Sequence, residues 1–307
     1  MINIVDKRFR FFWVALGLVI FSAVALGAFG LKPGIELSSG SMLTVNFAQT
    51  VNEDELNQEL ETLGYGGAII QQTGTGGFLI RTAELSTQAK NDLENSLTNR
   101  FGAVTEAEFN SVSPMVASET ARNAGIAIAV ACVGILLYVT WAFRKMPHPF
   151  RYGVCALLAL GHDALLALGI FAALGSVLGW EINLMFITGI LAVLGYSINN
   201  TVVVYDRIRE NLQRGISPDL AVVVNTSLSE TLTRSLNTSL TTLFVVLALL
   251  LFVGASIQNF AVVLLIGVIA GTFSSICVAP NLIVAWERRE AKRLFRRDEP
   301  AVDSSQG

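Results

Sequence analysis

Six stretches of this chain are each long enough to cross a bilayer and carry almost no charge: 11–30, 124–143, 152–174, 182–205, 236–254 and 260–286. About 20 apolar residues in helical form span roughly 30 Å of hydrocarbon, where every backbone N–H and C=O must be bonded within its own segment. Runs of this kind exclude a water-soluble fold and predict a bundle of spanning helices. Composition agrees, with 52% hydrophobic and 15% charged residues over 307 positions, against about 25% charged in a soluble domain.

The bases set the orientation. They gather at Lys7 to Arg10, at Arg144, Lys145 and Arg151, at Arg207, Arg209 and Arg214, and from Arg288 to Arg297. Placing all four groups on the cytoplasmic side, as the positive-inside rule asks, requires two crossings between each neighbouring pair. Six spans with both termini cytoplasmic satisfy this. The first run follows Lys7, Arg8 and Arg10 as a signal peptide would, but its length suits a span better than the 7–15 residues of a signal core, so the helix is expected to be kept.

The opposite side then receives one large loop, 31–122, and two short ones near 175–181 and 255–259. The large loop reads as a domain. IELSSGSMLTVNF alternates like a strand; NEDELNQELETLG opens on an Asn able to cap a helix; AIIQQTG and GFLIRTAEL are short strands about a Gly-rich turn. STQAKNDLENSLTNRFG is a Ser-capped helix and AVTEAEFNSV a last strand. The order βαββαβ is the ferredoxin-like pattern. The expected organisation is therefore a first span in 1–30, an α+β extracytoplasmic domain in 31–122, a five-span bundle in 123–286 and a cytoplasmic tail in 287–307. The tail is basic and then polar and acidic; its basic part suits anionic lipid, and its last residues are expected to be disordered.

The domain has no His and no Cys, and its acids fall on helix faces where water solvates them. The clusters Gly64, Gly66, Gly67 and Gly74, Gly76, Gly77 lack the strand-to-helix setting of a phosphate loop and read as turns. Cys132, Cys155 and Cys277 are scattered through apolar runs and read as packing residues. No metal, cofactor or nucleic-acid partner is expected, and no catalytic residue stands out.

Chemistry is expected inside the membrane, where a charged residue costs about 2.5–3.5 kcal/mol at a helix centre and needs a partner, water or a use. His162 and Asp163 in the third span lie about twelve residues past Arg151, roughly 18 Å of helix. Asp163 is either a mid-membrane carboxylate able to exchange a proton or an interfacial residue of a span that begins at Ala164. In the fifth span Arg234, Asn237, Thr238 and Thr241 recur at helical spacing as one polar stripe, expected to face the bundle, with Arg234 either pairing with a carboxylate or snorkelling to the surface. In the fourth, Gly195, Tyr196, Asn199 and Asn200 suggest close helix approach with amides bonding across the contact, and Gly267 and Gly271 form a GxxxG pair in the sixth.

Taken in order, GIELSSGSMLTVNF, SVSPMVASE, LGHD, LGYSINNTVVVYDRIREN and LTRSLNTSLTTL resemble the SecF family of protein-export membrane proteins, related to the RND exporters. The resemblance runs from about Phe11 to Trp286. It implies a six-span, RND-like half bundle with a ferredoxin-like extracytoplasmic domain in the bacterial cytoplasmic membrane. It also implies assembly with SecD, association with the SecYEG channel served by SecA, YajC as a further candidate partner, contact with a translocating polypeptide, and coupling to the proton-motive force. Where the family usually has SIND this chain has SINN, so Asn200 stands at the place of an aspartate that the family pairs functionally with the arginine matching Arg234. Where the family usually has GIDFTGG this chain has GIELSSG.

Asn200 cannot titrate, though it can accept a hydrogen bond from Arg234. Three readings follow: Asp163 and the carboxylates of SecD carry the protons, the subunit is chiefly structural, or another ion is used. Outside this family, the alternatives are an RND-related exporter of small molecules or lipids and an intramembrane enzyme. The first is weakened by the lack of a second six-span half, the second by the lack of a serine partner for His162.

Overall fold

The computed structural model describes residues 3–72, 76–252 and 255–288. Gly74 of the Gly-rich turn and the tail beyond Arg288 lie outside them. The elements run α1 (Arg8–Phe29), α2 (Ile35–Ser38), β1 (Gly40–Phe47), α3 (Glu53–Thr62), β2 (Ile69–Gln72), β3 (Phe78–Thr82), α4 (Thr87–Phe101), β4 (Val104–Val112), α5 (Pro114–Ala142), α6 (Pro149–Leu178), α7 (Leu184–Gln213), α8 (Leu220–Phe252) and α9 (Ala255–Phe273). A π-helical turn, Ser274–Val278, then leads into α10 (Ala279–Glu287). Six helical segments are long and apolar enough to span: α1, α5, α6, α7, α8 and the α9–α10 run.

The chain divides into two compact units. One takes in 29–129 and 171–187 and holds an antiparallel sheet in the order β2-β3-β1-β4, the arrangement expected of βαββαβ. Asn52 caps α3, its side chain accepting from the Asp54 N–H, and Ser86 caps α4 by accepting from Ala89; these satisfy N–H groups the helices cannot bond internally. Leu56 and Leu60 of α3 and Leu93 and Leu97 of α4, each pair one turn apart, meet Leu43, Val45, Phe78 and Ile80 of the sheet in a closed core. Two details differ from the sequence pattern. Residues 35–38 form a helical turn rather than the start of β1, because Ser38 and Ser39 close i→i−4 bonds on Gly34 and Ile35. Helix α5 begins at Pro114, so the second span continues well beyond its apolar run.

Within the same unit the segment 179–184 is tied to the start of the domain. Pro33 and Ile182 form a parallel bridge, Glu36 Oε2 accepts the Leu184 N–H at 2.6 Å, and Arg81 of β3 donates to Glu181 Oε1 at 2.5 Å, to the Pro33 carbonyl at 2.7 Å and to Ser38 Oγ at 2.8 Å. Burial pushes the Glu181 carboxyl above its usual range, with the Arg81 charge pulling the other way.

The second unit takes in 1–28, 130–170 and 188–307. Between helices in lipid there is no hydrophobic driving force, so close packing and interhelical bonds hold the bundle. Its aromatic knot, Phe143, Tyr152 and Tyr205, has ring centroids 5.4–6.1 Å apart, in the range where each pair adds about 0.5–1.5 kcal/mol. Cys155 is buried, Cys132 and Cys277 half-buried, and all three are free thiols. Where α1 crosses α6, Gly169 lies against Ser22, and a Cβ added there would come within 2.5 Å of the Ser22 Cβ.

Candidate functional site

The polar centre of the bundle is built by glycine, serine and one proline. Gly267 and Gly271 present no side chain to α7: a Cβ at Gly267 would fall 2.5 Å from Val193 Cγ1, and one at Gly271 would fall 3.0 Å from Ser197 Cβ. Val193 and Ser197 are one turn apart, as are the glycines, so the expected GxxxG contact sets α9 directly on α7. Nine residues after Gly271 comes Pro280. It has no N–H to donate, and in a regular helix its ring would crowd the carbonyl of Ile276. The chain widens into the π-helical turn just before it, and Asn281 Nδ2 donates back to the Cys277 carbonyl at 2.8 Å. Wide turns of this kind are frequent at functional sites. Here the turn carries Ser274 into the bundle.

Asp163 receives both helices. Its side chain is 0% exposed, fourteen residues into α6, or about 21 Å at 1.5 Å per residue. The helix runs unbroken through this residue from Pro149 to Leu178. Ser197 Oγ donates to Asp163 Oδ2 at 2.7 Å and Ser274 Oγ donates to the same oxygen at 2.6 Å, while His162 Nδ1 lies 3.1 Å from Oδ1. Among the described residues no Lys or Arg pairs with Asp163. The His162 ring lies 6.2 Å from that of Phe273, and its Nε2 is buried without a partner among the described residues. A second network stands beside the first: Tyr196 Oη donates to Ser239 Oγ at 3.0 Å, and Thr272 Oγ1 donates to the same oxygen at 2.6 Å.

The other expected site residues fall differently. Asn200 is buried, at 3% exposure, one turn beyond Ser197, and its Nδ2 has no partner among the described residues. Among the described residues no bond joins it to Arg234, which lies on the exposed face of α8. Arg234, Asn237, Thr238 and Thr241 lie on the exposed face of α8, which corrects the expectation that this stripe faces inward. The inward stripe is Ser227, Thr231, Ser235 and Ser239. Hydroxyls can bond the carbonyl one turn back, as Ser227 does to Val223 and Thr231 to Ser227, so they enter a bundle at little cost. A guanidinium keeps its charge whatever carbonyl it bonds, and Arg234 sits in a groove with Asp206, Arg207, Glu210 and Glu230. Asn199 and Gly195 are exposed too. Gly195 has nothing within 4 Å of an added Cβ, so close approach to α7 is supplied by the glycines of α9. Asn199 lines a groove of about 300 Å³ with Gly134, Tyr138 and Ile198.

Ser197, Ser274 and the α7–α8 tie were not singled out in the sequence. In that tie Asn211 Nδ2 donates to Ser227 Oγ at 3.0 Å and to Glu230 Oε2 at 2.7 Å, beside an Arg207–Glu230 ion pair. The signal available was Ser274 and Ser275 interrupting an apolar run six and five residues before Pro280.

Comparison with known proteins decides the family. Residues 92–289 match the family described as protein export membrane protein SecD/SecF, C-terminal, and residues 24–51 match the SecD/SecF GG motif. The protein translocase subunit SecF of Thermobaculum terrenum is 42% identical over 98% of both chains. The chain belongs to the SecF family. The SecF subunit of Anaerolinea thermophila is 36% identical over 97% of this chain and 98% of its own. A crystal structure of SecDF, a translocon-associated membrane protein from Thermus thermophilus, matches with a TM-score of 0.82 and 34% identity over 94% of this chain. This chain spans 39% of that SecDF chain. The six-helix bundle with its small antiparallel sheet is thus the family fold.

Proposed function

We propose that this SecF-family chain is an accessory subunit of the Sec protein translocase that works with SecD and draws on the proton-motive force through Asp163. Support for SecD as partner comes from relatives in which the SecF-like part is one segment of a longer SecDF chain, as in Bacillus subtilis, where this chain matches 38% of the protein. The polar outward stripe Arg234, Asn237, Thr238 and Thr241 fits that partnership, because a polar face turned to lipid is costly and one turned to a second bundle is not. Docking on SecYEG and its SecA motor, contact with YajC and the emerging polypeptide, cytoplasmic termini and an extracytoplasmic sheet domain complete the reading; the base clusters support the orientation.

The observation that carries the proton assignment is a fully buried carboxylate held by hydroxyls from two separate helical segments and, among the described residues, by no Lys or Arg. Ionised, Asp163 accepts from both Ser197 and Ser274. Protonated on Oδ2, it becomes a donor and turns one of the two hydroxyls into an acceptor, which loosens one of the two helix contacts; a proton on Oδ1 would go to His162 Nδ1 instead and leave both contacts in place. The π-helical turn beside Ser274 is the element suited to absorb that shift. One proton crossing 100 mV supplies about 2.3 kcal/mol, which biases two arrangements by about 50-fold. The reading assigns no catalysis: both serines donate to Asp163, and none of the described ones bonds His162 as a nucleophile–base pair would. Driven export in vesicles containing this chain and its own SecD tests the proposal. Asp163→Asn is expected to abolish stimulation by the proton-motive force. Stimulation that survives Asp163→Asn and rises only with Asn200→Asp would assign the chain a scaffold role.

A further inference from the structure

At the base-rich end of the bundle most arginines are already neutralised. Arg207 holds Glu210 and Glu230, Arg214 holds Glu210 at 2.5 Å, Arg151 holds Glu287 at 2.7 Å and Arg288 holds Asp219 at 2.9 Å. Arg144 and Lys145, in the turn after α5, are not: among the described residues neither has a carboxylate partner, as is also true of Lys7 and Arg10 before the first span. Together with Trp141, Ala142, Arg209 and Gln213 they line a cavity of about 430 Å³. Arg209 brings a third cation, paired with Asp206 at 2.5 Å and lying 5.7 Å from the Phe143 ring, so excess positive charge remains. Trp141 is 62% exposed, and the Arg144 guanidinium rests 4.7 Å from its ring centre while donating to the Trp141 carbonyl at 3.3 Å. Stacking of this kind pre-orients a guanidinium, whose planar fork suits phosphate oxygens. Indole at the end of a spanning helix marks the level of the headgroups.

We infer that this cavity is a headgroup site for one anionic phospholipid, with Arg144 and Lys145 on the phosphate and Trp141 against the glycerol and upper acyl chain. The cavity opens beside a span that continues into hydrocarbon, which favours a phosphate carried on a lipid over a free one. A surface base is worth about 1 kcal/mol toward an anionic lipid, or about fivefold. Removing both free cations should then weaken retention about 25-fold.

The test uses the full chain in phosphatidylcholine nanodiscs carrying a small fraction of phosphatidylglycerol, with retained lipid counted by native mass spectrometry. Wild type is expected to keep one phosphatidylglycerol that the double variant Arg144→Gln, Lys145→Gln loses, and Trp141→Ala is expected to shorten its retention. A control pair with the same loss of charge, Lys7→Gln with Arg214→Gln, is expected to keep the lipid. Equal loss in both pairs would reduce the effect to a diffuse field and overturn the site. Displacement by millimolar inorganic phosphate would overturn the lipid assignment in favour of a soluble anion.

Discussion

Removing the two hydroxyls that hold Asp163 tests whether this carboxylate carries charge inside the bundle. Ser197→Ala with Ser274→Ala deletes the donors at 2.7 and 2.6 Å and leaves the helices otherwise intact, since both side chains are fully buried and small. If Asp163 is neutral, each bond is an ordinary interhelical contact worth about 0.6 kcal/mol in a membrane, and the double variant loses about 1 kcal/mol. If it is ionised, each bond is to a charged group and worth about 1.5–3 kcal/mol, and the loss is about 3–6 kcal/mol. The assay is the unfolding free energy of the full chain in bicelles by steric trapping, across a range of pH. His162 is the titratable neighbour facing Asp163, at 3.1 Å, so the series is repeated with His162→Gln. In the Asp163→Asn background the loss should stay near 1 kcal/mol at every pH, because the amide oxygen still accepts but carries no charge. A proton-exchanging Asp163 predicts a loss that moves between the small and the large value with pH in the Asp163 protein alone. A loss near 1 kcal/mol throughout, equal in both backgrounds, would refute the charge-exchange argument.

Other outcomes follow from single contacts. Gly169→Ala should cost about 1–3 kcal/mol by overpacking, since its Cβ would meet Ser22 of α1, whereas Gly161→Ala on the same helix meets nothing within 4 Å and should be neutral by the same measurement. The Ala221 N–H and then Arg288 hold the Asp219 carboxyl below its usual range. A titration followed by NMR should show that Arg288→Gln raises it only part of the way, and that the cap is lost as pH falls through the lowered value. Glu181 has the opposite sign: burial raises it, so ionisation weakens the folded domain as pH rises from the ordinary carboxylate value through the raised one. Arg81→Gln should push Glu181 further up and widen that window in pH-dependent melting of the sheet domain.

The domain's strand order, its two capped helices and the GxxxG contact were legible because each rests on a local rule: alternation at period two, an amide or hydroxyl at a helix start, small residues one turn apart. Asp163 was legible as a residue but not as a site. Its partners come from Ser197 and Ser274, 34 and 111 residues away, and serine in a membrane helix carries little signal because it can satisfy itself on its own backbone.

Length and hydropathy by themselves determined that the chain forms six spanning helices with one α+β domain after the first, since those follow from the number of apolar residues needed to cross hydrocarbon and from local pattern. Which face of each helix turns inward was decided only by tertiary packing. A spanning helix is apolar nearly all round, so periodicity does not point to the core as it does in water. Helix α8 shows the consequence: of its two polar stripes, the hydroxyls of Ser227, Thr231, Ser235 and Ser239 went in and Arg234, Asn237, Thr238 and Thr241 stayed out. Hydroxyls can be buried against their own helix, whereas a guanidinium keeps a charge that needs a second body or water, and Asn237, Thr238 and Thr241 lie on the face that Arg234 holds outward.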